Sequence, residues 1–74
     1  MSIARITEIS STSSTSFEDA IQSGVKRATA TLRNVRSAWV KEQQIKIEDN
    51  SIVEYQVNLM ITFVLDEGDQ ANIA

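Results

Sequence analysis

Trp39, Gln56 and Asn58 are the side chains here best suited to chemistry, and the chemistry they suit is recognition. An indole offers a flat wall for a planar ligand, and two amides can read such a ligand's polar edge. Catalysis has much less to work with. The chain has no histidine and no cysteine, so it lacks the usual general base, the thiolate nucleophile and the soft metal ligands. Its many serines have no neighbouring base to activate them, and no glycine-rich phosphate loop is present. Glu42, Glu48 and Asp49 fall on a strand and its turn, not in a pocket. A Ca²⁺ or Mg²⁺ site would need several converging carboxylates, which the sequence of one protomer cannot show. The expectation is a protein that binds and does not catalyse. Trp39 has two readings, a ligand wall or an interface anchor, since tryptophan is enriched at interface centres. Gln56 is equally readable as a ligand contact or a satisfied strand amide.

These residues need elements to hold them, and 74 residues allow one domain. A chain this short buries only about 60% of its unfolded surface, so its own core is marginal. No disulfide or thiolate metal site can staple it. Oligomerisation is the remaining source of stability. Seven Lys and Arg against ten Asp and Glu give a net charge of −3. Lys26, Arg27, Arg33 and Arg36 cluster, but a solvated helix face explains them better than a phosphate footprint, and the overall acidity argues against nucleic acid. The N-terminal residues MSIARITEIS contain no signal-like apolar run, and no stretch is long and apolar enough for a membrane span. A soluble, cytoplasmic protein is expected.

Ile3 to Ile9 is rich in β-branched residues and reads as a short strand. The hydroxyl run Ser10 to Ser16 leads into a helix start, with Thr15 to Glu18 or Ser16 to Asp19 as the capping box. The helix is expected from about Ser16 to Arg33. Its apolar stripe is Phe17, Ala20, Ile21, Gly24, Val25, Ala28 and Leu32, and Asn34 can stop it. Gly24 in mid-helix costs about 1 kcal/mol relative to alanine, which close approach of helix to sheet would offset. Two long strands follow, Arg36 to Glu48 and Ile52 to Leu65, joined at Asp49-Asn50, residues that both tolerate positive φ. Val53, Tyr55, Val57, Leu59, Ile61, Phe63 and Leu65 mark the core face of the last strand.

That turn pairs Glu48 with Ser51, Trp39 with Met60 and Ser37 with Thr62. It places Ala38, Val40, Glu42 and Gln44 toward the core, and Ser37, Trp39, Lys41, Gln43, Ile45 and Ile47 outward, unless a one-residue bulge swaps them. The expected helix is roughly 27 Å long, whereas a thirteen-residue strand is roughly 43 Å. The hairpin therefore overhangs, and nothing in the chain covers Ile45, Ile47 or Ile52. They are the expected oligomer interface. The helix reverses the chain, so an all-antiparallel sheet requires the order 1-3-2. The fold class is α+β: β-α-β-β, a three-stranded antiparallel sheet packed on one helix. Residues 1–66 form the domain, and 67–74 a polar tail.

With these pieces in order, the chain resembles the dodecin family of small flavin-binding proteins. The resemblance runs from about Ile3 to Asp66. It rests on the STSSTS stretch before the helix, AIQSGVKRATATLRNV through the helix end, and EYQVNLMITFVLDE in the last strand. It implies a hollow shell of twelve subunits. Flavin-binding members carry a tryptophan shortly after the helix, which stacks on the isoalloxazine, and a glutamine in the last strand. Gln56 matches that glutamine, but Ser37 stands at the tryptophan position, and Trp39 comes two residues later within VRSAWVKEQ. The chain thus looks more similar to the branch without the stacking tryptophan. The expected function is a small-ligand binding or storage shell with weak or absent flavin binding. The alternatives are a riboflavin or FMN site using Trp39 and Gln56, and a structural or cation-holding shell. Candidate ligand residues are Ser37, Trp39, Gln56 and Asn58.

Overall fold

The computed structural model describes residues 3–65, so the expected tail lies outside the described residues. The elements are β1 (Ala4–Ser13), α1 (Phe17–Thr31), β2 (Val35–Glu48) and β3 (Ser51–Val64). They form one three-stranded antiparallel sheet in the order β1-β3-β2. The expected fold class and strand order therefore hold.

β1 is longer than its apolar pattern suggested. It continues past Ile9 to Ser13, pairing Ser10 with Asn58, Ser11 with Val57, Thr12 with Gln56 and Ser13 with Tyr55. The hydroxyl run is thus mostly strand, because β3 offers a complete ladder and small side chains suit a crowded helix crossing. Ser16 is the N-cap: its Oγ accepts from Asp19 N–H at 3.0 Å. Asp19 does not reach back to the cap but accepts from Ser13 Oγ at 2.7 Å. Ser13 Oγ in turn accepts from Thr15 N–H at 2.9 Å, which leaves this buried hydroxyl fully satisfied. α1 ends at Thr31, two residues before Arg33, and Asn34 makes the exit with φ 60°. Asn34 C=O accepts from Val64 N–H at 3.0 Å, tying the start of β2 to the end of β3.

The core is Ala20, Ala28, Val57, Leu59 and Ile61, with Ile9, Phe17, Ile21, Val25, Leu32 and Val35 packed around it. Phe17 meets Tyr55 edge-on at 5.1 Å. A Cβ on Gly24 would lie 3.0 Å from Leu59 Cδ1 and 3.1 Å from Ser11 Cβ. Glycine is what lets the helix come down onto β1 and β3. After Val35 every residue of β2 is exposed.

The hairpin turns at Asp49 and Asn50, with φ 52° and 64°, the two-residue geometry that matches strand twist. Its register agrees with the expectation at Glu48/Ser51, Trp39/Met60 and Ser37/Thr62. Between these points it does not. Lys41 is an extra residue on β2, and Val53 on β3, so Gln43 opposes Val57 and Ile45 opposes Tyr55. The faces expected for residues 42–45 are therefore exchanged. Gln43 and Ile45 share the helix-side face, and Glu42 and Gln44 join Asn58 and Gln56 on the outer one. Ile47, opposite Ile52, follows Ile45 onto the helix-side face. A strict register would set Glu42 opposite Val57 and Gln44 opposite Tyr55; the bulge sets Gln43 and Ile45 there instead, which exchanges a charged neighbour for a neutral amide and an amide for an isoleucine. All three isoleucines stay uncovered, with Ile47 60% exposed.

Leu59→Ala and Ile61→Ala should each cost roughly 2–5 kcal/mol as buried truncations, with Thr62→Ala costing far less, read from urea melts. Gly24→Ala should lower the melt midpoint too. Its gain of about 1 kcal/mol in helix propensity is smaller than the cost of overpacking a buried Leu59.

Candidate functional site

The outer face of the sheet is built row by row from the pairings. Ile6, Thr62 and Ser37 form one row, and Glu8, Met60 and Trp39 the next. Ser10, Asn58 and Glu42 follow, then Thr12, Gln56 and Gln44. Ser37, Trp39, Asn58 and Gln56 thus share this face, as expected, and no helix covers it.

They do not share one point on it. Gln56 and Asn58 touch, with Gln56 Nε2 donating to Asn58 Oδ1 at 3.2 Å. Trp39 opposes Met60, two residues along β3 from Asn58, and is 49% exposed. Ser37 opposes Thr62, six residues from Gln56, or roughly 20 Å at 3.3 Å per residue. A small ligand can run from Trp39 toward Gln56, but it cannot touch Ser37 and Gln56 of the same chain.

Two further residues belong to the site. Asn58 Nδ2 donates to Glu8 Oε2 at 3.1 Å, and Lys41 Nζ donates to Glu8 Oε1 at 3.2 Å. Glu8 lies on β1 and Lys41 on β2, so this carboxylate links both edge strands across β3. The bulge makes the reach possible, because Lys41 is the residue left out of the ladder. Glu8 stood in the sequence as a polar position of a short strand, with only alternation to recommend it. Lys41 stood on the outer face but carried no sign of its partner. A shallow pocket of about 250 Å³, lined by Gln44, Ile45, Lys46, Glu54 and Gln56, adjoins the amide end of this network. Among the described residues, no three His, Cys, Asp or Glu side chains group to hold a metal. No helix among them is long and apolar enough to cross a membrane.

The Asn58 hydrogen bond, followed by the Lys41 bond and charge, holds the Glu8 carboxyl below the usual carboxylate range. A carboxyl whose folded pKa is depressed stabilises the fold above its unfolded pKa, and that contribution is lost as pH falls through the folded value. Asn58→Ala removes the largest cause. In a carboxyl-carbon NMR titration, the Glu8 midpoint should move up toward the ordinary glutamate range.

The Dodecin family model matches residues 3–66. Calcium dodecin of Mycobacterium tuberculosis is 32% identical over 63 residues, covering 85% of this chain and 89% of its own. A crystal structure of T. thermophilus dodecin, in an arginine-to-alanine variant, is 36% identical with a TM-score of 0.84, covering 90% of this chain and all of its own. Dodecin from Streptomyces davaonensis is 35% identical with a TM-score of 0.83, covering 89% and 97%. The crystal structure of the M. tuberculosis calcium dodecin, a calcium-chelating antigen with a calcium-binding site, is 28% identical with a TM-score of 0.75, covering 86% and 91%. With its length, strand order and last-strand sequence all accounted for, the chain belongs to the dodecin family.

Proposed function

We propose that this dodecin is a non-catalytic, homo-oligomeric shell, twelve copies on the family pattern, which binds or stores a small planar ligand against the outer faces of its sheets and holds flavin weakly or not at all. The exposed length of β2, with Trp39 half exposed beside Met60, carries this reading. One protomer leaves Trp39, Val40, Ile45, Ile47 and Ile52 open to water, a set that further copies would cover. In flavin-binding relatives the stacking wall would stand at Ser37, which here offers only a hydroxymethyl group. Trp39 is about 6.6 Å farther along the strand, so it cannot fill that slot without displacing the ligand. The separation of Ser37 from Gln56 also favours a ligand held between copies, each supplying part of the contact.

The relation to calcium dodecin supports a second reading, a cation-holding shell. With no acidic group of three among the described residues, such a site would gather carboxylates from several copies. Terbium luminescence sensitised by Trp39, with calcium as competitor, tests it.

Light scattering at micromolar concentration should give a large assembly, and Ile47→Lys should break it into smaller species by placing a charge in a desolvated contact. A stable monomer or dimer of the native chain would sink the shell. Riboflavin fluorescence should be little quenched by the native protein and more strongly by Ser37→Trp. Stacking is worth about 1–3 kcal/mol per ring, a gain on the order of ten- to a hundredfold in affinity. Strong quenching by the native protein that disappears in Trp39→Ala would make Trp39 the stacking residue instead.

A further inference from the structure

We infer that Glu8 is a positioning residue: acting through Asn58, it turns the Gln56 carbonyl outward, so that the site selects a planar heterocycle whose edge carries a ring N–H. This rests on reading the outer face as the ligand site. It is carried by the direction of three hydrogen bonds.

A carboxylate only accepts. Asn58, 3.1 Å from Glu8 Oε2, must therefore present its NH₂ group there. That orientation points Asn58 Oδ1 at Gln56, where only a donor can meet it, so Gln56 must offer Nε2, as it does at 3.2 Å. Each amide has one carbonyl and one NH₂ end, so the choice made at Glu8 passes to Gln56 without loss. Gln56 lines the pocket shared with Gln44, Lys46 and Glu54, and its Oε1, which takes no part in these bonds, is the acceptor offered to a ligand, with the second N–H of Nε2 beside it. Lys41, held 3.2 Å from the second carboxylate oxygen, fixes the anion in place. Without the anion both amides can turn over together, and Gln56 would then present NH₂ as readily as C=O. A ligand edge with an imide or lactam N–H gains from the first arrangement. An edge that only accepts gains from the second.

Two measurements separate this inference from the reading beneath it. The first needs no ligand. In the native assembly, deuterated and labelled with nitrogen-15 and carbon-13, a through-hydrogen-bond coupling should connect the Gln56 side-chain NH₂ to the Asn58 side-chain carbonyl. In Glu8→Gln it should weaken or vanish, because Lys41 only donates and so holds the glutamine carbonyl, which leaves the NH₂ facing Asn58. An equal coupling in both proteins overturns the inference. The second uses Ser37→Trp as background and compares riboflavin with its N3-methyl analogue. With Glu8 present, riboflavin should be preferred roughly tenfold, the worth of one hydrogen bond. With Glu8→Gln added, the preference should fall to one or below. If Glu8→Gln weakens both flavins equally and leaves the ratio intact, Glu8 is merely structural and the inference fails. If neither flavin binds any variant, the planar-ligand reading fails, and the coupling alone decides whether Glu8 orients the amides.

Discussion

A helix of fifteen residues rises about 22 Å, whereas each hairpin strand of fourteen residues runs about 46 Å. Most of this molecule's character follows from that mismatch. The helix can cover part of the sheet only, and Gly24 sets which part by letting α1 settle on Leu59 and Ser11. Val57, Leu59 and Ile61 become fully buried, and β2, on the far edge, keeps its side chains in water. The chain is 56 Å long and 13 Å thin, a shape with little interior of its own. On the proposed shell, neighbours would cover what such a protomer leaves open, which would tie its fold to its association.

The outer face turns the same constraint to use. With the helix confined to one side, the other side of a three-stranded sheet is free to carry rows of polar side chains beside Trp39 and Met60. A salt bridge between exposed side chains is ordinarily weak. Here the Glu8 carboxylate does something different, because it joins both edge strands and orders the amides between them. Its value is directional more than energetic.

Much of this could be read from the residues. The alternation from Val57 to Phe63 marks the buried face of β3, and the helix stripe from Phe17 to Leu32 packs where its spacing placed it. Asp49 and Asn50 announce their turn. Trp39, Asn58 and Gln56 were legible as one face because β3 alternates without a break from Gln56 to Met60 and the turn register pairs Met60 with Trp39. The features that escaped are those set by tertiary context. Nothing in Ser10 to Ser13 signals a strand, since those residues pair only because β3 extends beside them. A one-residue bulge that swaps the faces could be named as an alternative, but its place at Lys41 is invisible in an alternating pattern. Glu8 and Lys41 are 33 positions apart, and only the assembled sheet makes them partners.

The irregularities of β2 also bear on how copies can meet. Arg36 and Lys41 each interrupt the pairing rhythm on this edge strand, and Val53 breaks it again near the tip. Each such break bends and twists the strand. An edge shaped this way is a poor template for another strand laid alongside in continuous register, which is how open-ended fibres grow. Contacts through side-chain faces are left as the favoured route, and such contacts can be arranged around rotation axes that close on themselves. An exposed edge strand that mixes isoleucines with charges is therefore also kinked against endless ladders, which suits the closed shell proposed for this chain.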